Sequence, residues 1–189
     1  MRISITDILN TIKIMKHETQ ADFKNPAGET KLKKELIGIF ENVKDVVRKN
    51  EGRSRAGLML GLQELGSSMQ GFIGAYYPVN SNIIVMNKTV LRRIIETNPD
   101  LLEPCSFHVL LHEYIHSLGI FDEVMTRSKT YEICRKQFGE EHVITELSKD
   151  MRKFFPSLVY PVYGWNPKTE TGIELVKGFD VSSTRSYFT

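Results

Sequence analysis

The chain has 189 residues, 41% of them hydrophobic and 25% charged, which suits a soluble globular protein with one sizeable core. A formal charge of +2 is too small to point to nucleic acid or an anionic membrane. No apolar run approaches the ~20 residues that span a bilayer, and the start, MRISITDILNTIKIMKHE, lacks the uninterrupted apolar core of a secretory signal. Two cysteines, Cys105 and Cys134, are too few for a disulfide framework, so a reducing, cytoplasmic setting is expected.

Residues 4–17 and 30–49 carry apolar positions at helical spacing. In the second stretch Leu32, Leu36, Ile37, Phe40, Val43 and Val47 form one stripe among lysines and glutamates, and Gly52 with its polar turn ends the helix. The basic clusters KLKK (31–34) and RKNEGRSR (48–55) read as a solvated helix face and the turn after it. Three short apolar segments follow, AGLMLGLQEL (56–65), GFIGAYYP (71–78) and NIIVMN (82–87), separated by turn residues. They predict a roughly three-stranded sheet.

Helical spacing returns in KTVLRRIIE (88–96), and Asn98-Pro99-Asp100 breaks it. Pro104 suits the first turn of the next helix, expected from about Pro104 to Leu118 with Gly119 as its stop. Two further helices are expected, about 122–138 halted by Gly139 and about 142–154 halted by Pro156. The tail then offers one possible strand, IELVKG (173–178). With no repeat and no long linker, the expectation is one α+β domain over 1–189. It divides into N-terminal helices (1–55), a core (56–155) and a C-terminal tail (156–189).

The chemistry concentrates in HVLLHEYIHSLGIFDE (108–123). On a helix each residue advances ~100°, so His112 and His116 project from one face, one turn apart. Two imidazole nitrogens on one rigid turn can meet a single Zn²⁺ at ~2.0–2.1 Å. Glu113 stands on the flank of the pair, too far round to be a natural ligand but placed to touch a water on the ion. This is the HExxH arrangement, in which the metal brings its water's pKa near 7 and the glutamate takes the proton. Val109, Leu110, Leu111, Tyr114, Ile115 and Leu118 form a broad apolar surface on the same helix, which would bury it and hold the ligands still.

The order GAYYPVNSNIIVMN, a connecting helix, then FHVLLHEYIHSLG resembles the zincin-type metallopeptidases. Within them it is similar to the small zincins of the ImmA/IrrE type and the minigluzincins, over about residues 56–155. The pattern HEYxHSLG followed by FGEEH also resembles a group of archaeal predicted zinc proteases. The resemblance implies a zincin-like fold, with a small sheet packed on the HExxH helix, and a peptidase acting on a peptide or protein. His112 and His116 would be ligands of one Zn²⁺ and Glu113 the general base. It also implies that a sheet edge, here GFIGAYYP, holds substrate as an added strand.

A catalytic zinc needs a third protein ligand and one open position. Three choices compete. His142 is the expected one: it opens the helix beginning near HVITEL, where the helix dipole favours a neutral, ligand-competent ring, and the FGEEH match points the same way. Glu146, four residues on with Asp150 beyond it, is the gluzincin-like choice. Asp122 falls where HSLGIFD matches HxxGxxD, and Glu123 beside it could substitute.

Of the remaining residues, Cys105, Cys134 and Tyr131 read as packing, and His108 as a rim residue near the ligands. Tyr160 and Tyr163 read first as packing too, although these two and Tyr131 could fold over the cleft, and the polar tail 181–189 could enter it. No nucleic-acid or membrane element is evident, and oligomeric state is not legible. The rival expectations are a binding protein that keeps the metal but turns nothing over, and a metal-dependent hydrolase of a non-peptide amide.

Overall fold

Helix α1, Pro26–Glu51, is the long amphipathic helix expected from the stripe in residues 30–49. Leu32, Leu36, Phe40, Val43 and Val47 are buried along one side, and Ile39 and Val46 widen that face. The computed structural model describes residues 26–66, 72–155 and 172–180. The helix expected over 4–17, the tyrosines at 160 and 163 and the tail 181–189 therefore lie outside the described residues.

Strands β1 (Met59–Gln63), β2 (Ala75–Tyr76) and β3 (Ile83–Asn87) form within the three expected segments. A fourth, β4 (Glu174–Leu175), comes from IELVKG and makes the sheet four-stranded. The order is β2-β3-β1-β4. β1 runs parallel to β3 with Met59 opposite Ile83 and Leu62 opposite Met86, while β2 and β4 add antiparallel at the two edges. The chain is thus α+β with a mixed sheet, and β2 is an edge strand.

Asn87 ends β3 and caps helix α2, Lys88–Thr97, its side chain accepting from the Thr89 amide at 3.0 Å. Its Nδ2 also donates to Gly66 O and Ile73 O, both at 2.8 Å, and its backbone N–H to Gly74 O. One fully buried side chain therefore ties the approach to β2 against β3. Beyond a short 3₁₀ turn at Pro99–Leu101, helix α3 (Leu102–Ser117) begins two residues earlier than expected. Pro104 falls in its first turn, where a missing N–H costs nothing.

Helices α4 (Glu123–Phe138) and α5 (Val143–Lys149) complete the layer, and Gly139 ends α4 at φ +93° as expected. The helix expected over 142–154 is divided. Asp150 leaves helical geometry and its carboxylate caps a 3₁₀ turn at Met151–Lys153 by accepting from Arg152 N–H at 3.1 Å. No helix among the described residues is long and apolar enough to cross a membrane.

α3 is the central helix. Val109, Leu110, Leu111, Tyr114 and Ile115 are all buried, and the Tyr114 ring meets Phe40 of α1 edge-on at 5.4 Å. The segment 172–180 closes the other side of α1. Phe179 stacks on Phe40 at 4.1 Å, Lys44 pairs with the buried Asp180, and Asp180 accepts from Leu58 N–H at 3.0 Å. Glu174 receives both Lys33 and Lys88. The helix that bears the two histidines is therefore held from several sides, as a site of fixed geometry requires.

Candidate metal centre

His112 and His116 project from adjacent turns of α3 with their Nε2 atoms 3.1 Å apart and their rings nearly perpendicular, at 79°. The turn after α3 decides their chemistry. Gly119 takes φ +96°, a conformation open to glycine and costly for residues with a Cβ. Its N–H closes on His116 O at 2.9 Å. The chain then doubles back, so that Ile120 O lies 2.7 Å from His116 Nδ1. A carbonyl oxygen only accepts, so Nδ1 carries the ring proton and Nε2 keeps its lone pair toward His112. Thr126 of α4 also donates to Ile120 O, at 3.1 Å, and fixes that carbonyl in place.

The same turn delivers Glu123, the first residue of α4. Its Oε1 is 3.1 Å from His116 Nε2 and its Oε2 3.5 Å from His112 Nε2. Asp122, one residue earlier, is occupied as the cap of α4, accepting from Met125 N–H at 2.8 Å. Thus two lone-pair donors and one further imidazole nitrogen converge, and His112 Nε2 alone of the three can carry a proton toward the others. Around a tetrahedral ion with ligand bonds of ~2.0–2.1 Å, donor atoms sit ~3.3 Å apart. The two histidine nitrogens, 3.1 Å apart, fit that edge, the Glu123 approaches of 3.1 and 3.5 Å are made by its two different oxygens, and together the three residues form a group that could hold a metal ion.

Glu113 stands beside this trio, only 6% exposed, and lines a cleft of about 330 Å³ with His116 and Glu123. Burial pushes its carboxyl up to about 8, the Glu123 charge adds to that, and the Tyr77 backbone amide opposes both. Ala75, Tyr76 and Tyr77 form the opposite side of the cleft, so the edge strand β2 runs past the trio. Arg55 holds the two sides in register. Its guanidinium donates to Tyr77 OH, to Ser117 O at the end of α3 and to Ser81 O, each at 2.7 Å. Its backbone N–H donates to Tyr114 OH at 2.8 Å. The basic cluster RKNEGRSR read Arg55 as part of a solvated turn, because its partners come from two segments distant in sequence, the β2–β3 connection and the end of α3.

The structure does not bring His142 to the pair. It is the exposed cap of α5, with Nδ1 accepting from Ile144 N–H at 3.2 Å and its ring stacked on Phe138 at 4.9 Å. The reason is the length of α4. Glu123 and Phe138 stand at its two ends, about 22 Å apart at ~1.5 Å per residue. The four residues from Phe138 to His142 can return at most about 14 Å of that. Glu146 pairs with Lys149 at 2.8 Å, and the Tyr131 hydroxyl donates to Glu140 at 2.7 Å, so neither joins the trio. Cys105 and Cys134 are buried free thiols pushed up to about 12 by burial, which makes them inert packing.

His108, one turn before His112, has a buried Nδ1 without a hydrogen-bond partner. Burial and then the neighbouring His112 bring its pKa down to about 4. A base with a depressed folded pKa leaves the unfolded chain binding more protons between pH 6.5 and 4, so its stabilising contribution is full above 6.5 and is lost on acidification through that window. In metal-free protein, His108→Gln is expected to flatten the fall of unfolding free energy between pH 6.5 and 4 by on the order of 2 kcal/mol. Urea titrations at several pH values measure this, and parallel curves for the two proteins would refute it.

Compared with protein-family models, with curated proteins and with solved structures, the chain matches none.

Proposed function

We propose that the chain is a zinc-dependent metallopeptidase. The observation that carries this reading is the convergence of His112 Nε2, His116 Nε2 and the Glu123 carboxylate at 3.1–3.5 Å, beside a buried Glu113 on the same cleft. His112, His116 and Glu123 would hold one Zn²⁺ per chain. When bound, the ion supplies acidification of a water molecule and polarisation of a substrate carbonyl.

The rest is the work of the chain's own residues. Glu113 accepts the proton of the water that attacks the carbonyl carbon, then delivers it to the amine released as the C–N bond breaks. The Tyr77 amide aims its carboxylate. The β2 edge lies where an extended peptide could pair with backbone groups beside Glu113. His116 is kept in its ligating tautomer by Ile120 O.

Metal removal tests this reading. Protein purified without chelator and given zinc is expected to retain about one ion per chain and to cleave members of a mixed peptide library. Stripping with a chelator should abolish cleavage, and added zinc should restore it. A chain that takes up no zinc refutes the metal centre. One that holds zinc but cleaves nothing supports a binding protein on the same scaffold.

A further inference from the structure

The described residues expose eight large hydrophobic side chains, and three of them line the cleft beside the trio. Ile73 and Val79, each 60% exposed, come from the stretch that bears β2. Phe121, 52% exposed, comes from the turn between α3 and α4, and all three line the cleft with Glu113, His116 and Glu123. Val124 and Met125, in the first turn of α4, are exposed as well but are not among the cleft's lining residues. Single exposed apolar residues are ordinary, but a group concentrated around one polar cluster marks a binding surface.

The cleft itself limits the occupant. About 330 Å³ lies at the small end of ligand pockets, enough for one or two large side chains and too little for a broad protein face. One border is an edge strand, whose outer backbone groups suit an extended chain. Glu123, 58% exposed, lines the cleft together with Phe121, so an occupant seated against that ring lies beside the carboxylate.

We propose that this cleft selects an extended peptide segment carrying large apolar side chains next to the bond held at the trio. Ile73 and Val79 grip it from the strand side and Phe121 from the helix side. The inference rests on the peptidase reading and specifies its substrate class.

The test uses full-length Glu113→Gln protein loaded with zinc, so that bound peptide is not consumed. Two fluorescein-labelled octapeptides are compared by polarisation, one with Leu-Phe at its centre and one with Ser-Asn there. The apolar peptide is expected to bind at least about tenfold more tightly. Phe121→Ser and Val79→Ser, added singly, should each weaken it by about tenfold with zinc content unchanged. Leu175→Ser, on the far edge strand, should leave it as it was.

Equal binding of the two peptides, or indifference to both cleft substitutions, overturns the proposal. So does a dimer that Phe121→Ser dissociates while neither peptide binds, since the patch would then belong to a second copy. Zinc content of the same samples separates the two readings. Protein that holds no zinc yet prefers the apolar peptide through Phe121 and Val79 refutes the metal centre and supports the apolar cleft. Zinc-loaded protein indifferent to the peptide's centre refutes the apolar cleft alone.

Discussion

Glu113→Gln is expected to reduce peptide hydrolysis by about 10²–10⁴-fold or more while the protein keeps about one zinc per chain. Glutamine matches glutamate in shape and leaves the packing of α3 undisturbed, but it cannot accept a proton. Glu113 is absent from the His112–His116–Glu123 trio, so its loss should not release the ion. Turnover of the best library peptide and metal content of the same preparation decide the point. Substantial residual turnover would remove Glu113 from the general-base role, and loss of zinc would make it a ligand instead.

The same substitution has a signature without substrate or metal. An acid whose folded pKa is raised to about 8 from an ordinary 4.5 binds its proton more tightly in the folded state. Its contribution to stability is therefore full below pH 4.5 and lost as pH rises through 8. Metal-free Glu113→Gln should gain on the wild type in thermal stability as pH increases from 4.5 to 9. A difference that stays constant over that range would show that Glu113 is not buried as described.

Glu123→Ala carries the second large effect. On the proposed reading Glu123 is one of three ligands, so its removal should weaken zinc by more than the ~10–100-fold that losing a supporting partner costs. His142→Ala should leave zinc affinity unchanged. It should lower unfolding free energy by about 1 kcal/mol, because the side-chain cap of α5 is lost. Competition against a chromogenic chelator measures both affinities. The reverse pattern, zinc lost with His142 and kept without Glu123, would return the third ligand to His142 and contradict the arrangement around α4.

These two variants also mark where one-dimensional reading stopped. The histidine pair was legible because i and i+4 share a helix face whatever the rest of the chain does. Gly119 and Gly139 were legible as stops because positive φ is cheap for glycine alone. The third member of the trio was legible only as an alternative, Glu123 standing as a substitute for Asp122 behind the expected His142. HxxGxxD directed attention to Asp122, yet an aspartate just before a helix is drawn into capping it, and the longer Glu123 beside it reaches the histidines instead. His142 carried the right chemistry, but α4 sets it at the wrong end. The division of the helix expected over 142–154 was likewise hidden, since Asp150 fits a helical pattern until its side chain takes the Arg152 amide.

Amino-acid order alone dictates what is periodic or local: the apolar stripe of α1, the buried face of α3, the glycine stops and the placing of Glu113 beside two histidines on one helix. Three-dimensional packing dictates what depends on distant segments meeting. These are β2 at the sheet edge, Arg55 joining that edge to the end of α3, β4 returning from the C-terminal stretch, and Glu123 closing the trio. The difference is one of range. A helix face or a turn follows from a few neighbouring dihedral angles, whereas strand order and a ligand's approach follow from how whole elements bury their apolar surfaces against one another.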